Sequence, residues 1–127
     1  MKNILSILSF TIFFGCSASI NTSFQSQKSP LTKADKVAFL DTHHKVPENA
    51  QKLGDGKFGD SGFSTDCSFD SNLIKARDIA RENGANIVKV KDNSTPDLWS
   101  SCHRMKIEYY YYDGKIEDLR QYQLKIN

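Results

Sequence analysis

The first eighteen residues constrain the rest of the chain. Lys2 follows Met1, and the apolar stretch from Ile4 to Phe14 is interrupted only by Ser6, Ser9 and Thr11 before Gly15, Cys16, Ser17 and Ala18. A bilayer-spanning helix needs about 20 apolar residues, so this stretch is too short to cross and has the length of an export-signal core. The chain has 127 residues. With residues 1–15 read as a removable signal, one small domain remains, because domains usually run about 100 to 200 residues. A large enzyme core is excluded.

The end of the stretch resembles the bacterial lipobox, in which a small residue precedes a cysteine that takes a diacylglyceryl thioether and becomes the first residue of the mature chain. Gly15-Cys16-Ser17 fits this pattern, and Phe13 stands where Leu is usual. Lipidation of Cys16 is the expectation; the alternative is ordinary secretory cleavage after Ala18. Several acyl chains exceed the two signals that stable anchoring requires. The segment from Ser17 to Lys33 is rich in Ser, Asn, Thr and Gln, a composition that buries too little surface to order itself. Residues 16–33 are therefore expected to form a lipidated, flexible tether, holding the domain roughly 23 Å from its anchor on average. The single globular domain is expected over 34–127.

Charge narrows the partners. Lys and Arg total 17 against 15 Asp and Glu, and one basic residue, Lys2, leaves with the signal. A nearly neutral mature chain carries no electrostatic footprint for nucleic acid. The partners expected are the membrane, through the N-terminal lipid, and an envelope protein.

The clearest element is a helix. Asp70 or Ser71 is placed to cap it, Leu73, Ala76, Ile79 and Ala80 share one side, and Gly84 supplies a left-handed stop. Strands are predicted at Val37 to Leu40, around Leu53 to Asp60, over Ile87 to Val90 and from Met105 to Tyr112, with a turn at 93–97. Around Ile116, Leu119 and Tyr122 the periodicity is mixed between helix and strand. The fold class that results is a small α+β domain, ββαββ-like, with a mostly antiparallel sheet and one main helix packed on it.

Several patterns suggest chemistry. Gly54-Asp55-Gly56-Lys57-Phe58-Gly59 matches G-x-G-x-x-G, but no helix follows promptly and Asp55 and Asp60 would repel phosphate, so a glycine-rich bend is the better reading. Asp55, Asp60, Asp66 and Asp70 lack the spacing of a calcium loop and read as solvated turn residues. His43 and His44 are adjacent and read as an exposed pair. Cys67, Cys102 and His103 are a candidate metal or nucleophile set, yet there is no C-x-x-C pairing and no orienting carboxylate. In an exported domain, two remaining cysteines are more simply one disulfide. Of the four tyrosines, Tyr109 and Tyr111 continue the strand face of Met105 and Ile107, while Tyr110 and Tyr112 continue that of Lys106 and Glu108. Tyr110 and Tyr112 are thus candidates for an exposed partner-binding patch or for packing on the outer face of the sheet.

The stretch Ala76 to Arg104, with Gly84-Ala85-Asn86, Val88 and Cys102-His103-Arg104, resembles the core of the RcsF stress-sensor lipoproteins, and its helix followed by Gly-Ala-Asn is also similar to YbjQ-like domains. The resemblance implies a helix-flanked sheet, a protein anchored in the outer membrane and facing the periplasm, and a bridge from Cys67 to Cys102. The second bridge of the sensor family has no counterpart, its positions matching Asn93 and Glu108. The function expected is non-enzymatic, a lipid-anchored interaction or sensing module without a cofactor. The alternative is a metal-binding or redox protein using Cys67 and Cys102 with a histidine.

Overall fold

The computed structural model describes residues 19–59, 67–96 and 102–125. The expected signal, Cys16 and the acidic positions Asp60, Asp66 and Asp97 lie outside the described residues. Five strands, β1 (Ser19–Phe24), β2 (Ala38–Leu40), β3 (Gln51–Gly59), β4 (Ile87–Ser94) and β5 (Arg104–Tyr111), form one sheet in the order β1-β3-β5-β4-β2. Only the β2–β4 pair is parallel. One helix, α1 (Phe69–Glu82), packs on one face, giving the expected α+β class with a further strand at its start.

The helix begins two or three residues earlier than its composition suggests. Ser68 is the N-cap, its hydroxyl accepting from the Ser71 N–H at 3.2 Å, so Asp70 and Ser71 lie inside the first turn. The carboxylate of Asp70 there complements the helix dipole. At the other end Gly84 has φ +75°, and the N–H groups of Gly84 and Ala85 return to the carbonyls of Arg81 and Ala80 at 3.2 and 2.8 Å. That double closure is a Schellman stop. A Cβ on Gly84 would also stand 2.7 Å from the backbone of Lys28, so glycine is needed for both angle and space. Asn86 then exchanges two hydrogen bonds with the backbone of Tyr112, closing the far end of β5. The Gly-Ala-Asn run is thus a helix stop, a buried spacer and a strand clamp.

The strands alternate between two unequal cores. Phe39, Phe58, Val88, Val90, Met105, Ile107 and Tyr109 face Leu73, Ala76 and Ala80 of α1. Small alanines let the helix lie close to the sheet. On the outer face, Ala38, Leu40 and Ile87 meet Ile116, with Val46, Ala50, Tyr110, Tyr112 and Leu119 around them. The C-terminal segment, which contains a single 3₁₀ turn at Ile116–Asp118, passes along β2. There the Tyr122 N–H donates to the Phe39 carbonyl at 2.7 Å and its hydroxyl to Asp70 at 2.8 Å.

The tether expected over 16–33 is corrected from Ser19 onward. Ser19–Phe24 pairs with β3 from Ser19 opposite Gly59 to Phe24 opposite Gly54. Its composition is polar, but Ile20 and Phe24 alternate onto the helix-side core, and Phe24 lies 5.1 Å, centroid to centroid, from Tyr109. A Cβ on Gly54 would collide with Ser23 and Phe24, so glycine in β3 makes the close approach of β1 possible. Beyond β1 the chain crosses to the helix C-terminus, where the N–H groups of Lys28 and Leu31 donate to Asn83 and Arg81. The predicted turn at 93–97 is also shortened, since Asn93 and Ser94 belong to β4.

Candidate functional site: the outer face of the sheet

Cys67, just before α1, and Cys102, just before β5, form a disulfide with a Cα–Cα distance of 5.0 Å. Both are buried. With each sulfur bonded to the other, the set Cys67, Cys102 and His103 does not converge as metal ligands: the His103 ring meets Asn93 at 3.3 Å and Phe69 at 5.9 Å between ring centroids. Among the described residues no group of three or more His, Cys, Asp or Glu side chains is placed to hold a metal ion. Asn72, a polar residue on the buried face of α1 that the helical pattern did not single out, ties this region together. Its amide donates to the carbonyls of Cys67 at 3.4 Å and His103 at 3.0 Å.

Tyr110 and Tyr112 do not form an exposed patch. Both are half-buried in the outer core against the C-terminal segment and the loop after β2. The Tyr110 hydroxyl donates to Glu108 at 2.6 Å, and burial, followed by that bond, pushes its pKa up to about 12. Of the two readings that strand direction allows for these tyrosines, the contacts are those of packing on the outer face. Alternation fixes which face they occupy, and a distant part of the chain covers it.

Next to them, the β1–β3–β5 part of the same face stays open, and its charges fall in rows. Nearer the start of β1, Asn21, Lys57, Lys106 and Asp92 are successive cross-strand neighbours. One step farther along, Ser23, Asp55, Glu108 and Lys89 form the next row. A shallow concavity of about 500 Å³ lies over these rows, lined by Asn21, Ser23, Asp55, Lys57, Lys106 and Glu108.

The two rows differ in how their charge is met. Lys52 reaches Asp55 at 2.8 Å and Glu108 at 3.2 Å, and Lys91 approaches Glu108 at 3.7 Å. The bond to Asp55, with Glu108 adding to it, raises Lys52 above its ordinary pKa. Burial pushes Glu108 up, but hydrogen bonds from Tyr110 and Lys52 outweigh it and leave the carboxyl below its usual value. Lys89 ends the row in a different way. It is buried and its ammonium donates to three main-chain carbonyls, of Asp41 at 2.6 Å, Thr42 at 3.1 Å and His44 at 2.5 Å. Burial lowers its pKa. It thereby fixes the turn that carries His43 and His44. That turn also brings the Asp41 N–H to His44 Nδ1 at 3.0 Å.

In the basic row, Lys57 and Lys106 are exposed and directly opposite one another, and among the described residues neither has a carboxylate in ion-pair range. Like charges placed directly across a strand pair are destabilising. The glycine run that begins at Gly54 lies in β3 with a register shift between Lys52 and Gly54, as a bend would have it.

The fold and this face define a two-layer α+β domain with one disulfide and a charged, open sheet surface. The chain matches no protein-family model, no curated protein and no solved structure. No helix among the described residues is long and apolar enough to cross a membrane.

Proposed function

We propose that this protein is a non-enzymatic interaction or sensing module, held on a bacterial envelope membrane by acyl chains on Cys16, in the outer membrane and facing the periplasm. One observation carries the interaction reading: the outer sheet face is half covered by an apolar core and half open, and the open half presents ordered rows of opposite charge. Charges arranged in rows of this kind steer and orient association with a complementary charged surface. Export is supported by the disulfide, a bond that persists in oxidising compartments, and by the apolar stretch that ends at Cys16. The resemblance of residues 76–104 to envelope stress-sensor lipoproteins points the same way.

Fractionation of cells expressing Cys16→Ser tests the anchor. With the signal cut, the variant is expected in the soluble envelope fraction, because the acyl chains are the strong attachment. Retention of the cleaved variant in membranes overturns the anchor. Crosslinking in cells from a photoreactive residue at position 57 tests the open face, and the same experiment from position 115 is its control.

A further inference from the structure

We propose that Lys57 and Lys106 rest against the anionic phospholipid headgroups of the membrane that holds the anchor, so that the domain lies on the bilayer in one orientation. This rests on acylation of Cys16. The correction to the tether is what makes it follow. Only residues 17 and 18 separate Cys16 from Ser19, where β1 begins, a step of at most about 11 Å for extended chain. Asn21, two residues into β1, is the register partner of Lys57, and Lys57 is that of Lys106. Strand geometry adds about 7 Å, so Asn21 lies within roughly 18 Å of chain from the acylated residue, and Lys57 and Lys106 follow one and two strand spacings of about 4.8 Å farther across the sheet. A freely coiling tether would have imposed no such closeness.

The order of charge along the strands agrees with that placement. The row nearer the anchor carries Lys57 and Lys106 against the single carboxylate of Asp92. The acidic row lies one step farther away, and Lys52 and Lys91 offset its Asp55 and Glu108. An anionic bilayer surface therefore meets the basic row first. Opposed ammonium groups with no carboxylate in ion-pair range among the described residues are matched from outside by the phosphates of anionic lipids, whose attraction acts over a Debye length of about 8 Å at physiological salt. Two lysines do not bind a membrane by themselves. The acyl chains supply attachment, and the row supplies orientation. The far end of the sheet, where β5 ends at Tyr111 and Lys115 follows, then points away from the lipid.

The test uses the full-length acylated protein reconstituted into two kinds of vesicle, phosphatidylcholine alone and phosphatidylcholine with phosphatidylglycerol. Flotation first reports whether the protein is anchored. A brief pulse of an amine-acetylating ester, followed by peptide mass analysis, then gives the rate at each lysine. Acetylation of Lys57 and Lys106 is expected to be roughly threefold or more slower in the anionic vesicles at low salt, and to recover at about 1 M salt, where the Debye length is about 3 Å. Lys115 should react equally in both. Equal rates at Lys57 and Lys106 in floated protein overturn the orientation and leave the anchor standing. Failure to float overturns the anchor and the orientation with it. Protection in intact cells but in neither vesicle assigns the face to a protein or glycan partner and overturns the headgroup proposal.

Discussion

The side-chain amide of Asn72 donates to the main-chain carbonyl of His103 at 3.0 Å, joining the first turn of α1 to the start of β5 across 31 residues of sequence. The same amide reaches the carbonyl of Cys67, so one buried side chain spans both flanks of the disulfide. Asn72→Ala is expected to destabilise the domain by roughly 1 to 3 kcal/mol, since the His103 carbonyl loses the amide and the Cys67 carbonyl keeps only the His103 N–H. Asn72→Asp should cost more, because a carboxylate would face those carbonyls without a proton to give. Urea unfolding with an unchanged m-value checks both; a neutral Asn72→Ala would show that the two bonds contribute nothing.

Tyr109, unlike the side-chain N–H group of Asn72, makes no side-chain hydrogen bond among the described residues. It is fully buried, and its hydroxyl has no partner among the described residues, while burial alone drives its pKa far above the ordinary tyrosine value. Removing an unsatisfied buried hydroxyl relieves a desolvation penalty of about 1 to 3 kcal/mol while keeping the ring in place. Tyr109→Phe should therefore leave the melting temperature unchanged or raise it, and Tyr109→Ala should lower it steeply. A clear loss of stability in the Phe variant would reveal a partner for the hydroxyl.

The disulfide closes a sequence separation of 35 residues. On the loop-entropy model this disfavours the unfolded chain by roughly 3 to 4 kcal/mol, although engineered bridges often deliver less. Reduction followed by alkylation should lower the melting temperature by about 10 °C or more in a domain of this size. Because Cys67 is 3% and Cys102 0% exposed, reductant should act slowly on the native protein and quickly once denaturant opens it. Intact mass after alkylation, with and without urea, reads both rates. Rapid native-state reduction would contradict the burial.

Glu108 and Tyr110 make stability depend on pH in opposite ranges. The folded Glu108 carboxyl titrates below its ordinary value. Its contribution is therefore present above the unfolded carboxyl pKa of about 4.3 and is lost as pH falls through the folded value. Tyr110 is pushed up to about 12, so its contribution is intact below the unfolded value near 10 and is lost as pH rises past the folded one. Glu108→Gln should flatten the acid limb of a stability profile and lower the alkaline midpoint of Tyr110, which ultraviolet phenolate absorbance would follow. An unshifted tyrosine midpoint in that variant would mean that the hydrogen bond has no part in holding the proton.

How far the sequence carries the fold differs from element to element, for physical reasons. The helix was legible because its apolar spacing and its glycine stop are local, and only its cap was misplaced, by two or three residues. Strand β5 was legible from alternation. Strand β1 was not, because its order comes from Gly54 and the aromatic floor of Tyr109, far along the chain from a Ser- and Asn-rich segment. Tyr110 and Tyr112 were assigned to the correct face, yet what covers that face arrives from Ile116, Leu119 and the loop around Val46. Buried Lys89 had no signature either, since its three carbonyl partners belong to a turn 45 to 48 residues away. The disulfide was favoured over a metal site by the count of cysteines together with the expectation of export.

Strand β1 also sets where the chain tolerates being cut. A fragment starting at residue 34, as composition alone would suggest, loses the strand that satisfies the outer hydrogen bonds of β3 and the ring of Phe24 that covers Tyr109. Such a fragment would carry a glycine-rich, unpaired edge beside an uncovered aromatic surface, the combination that recruits strands from other molecules. It should associate as concentration rises, whereas a chain starting at Ser19 or earlier should stay monomeric, and sedimentation at several concentrations distinguishes the two. The residues that look like a spacer thus act as the sheet's own guard against self-association.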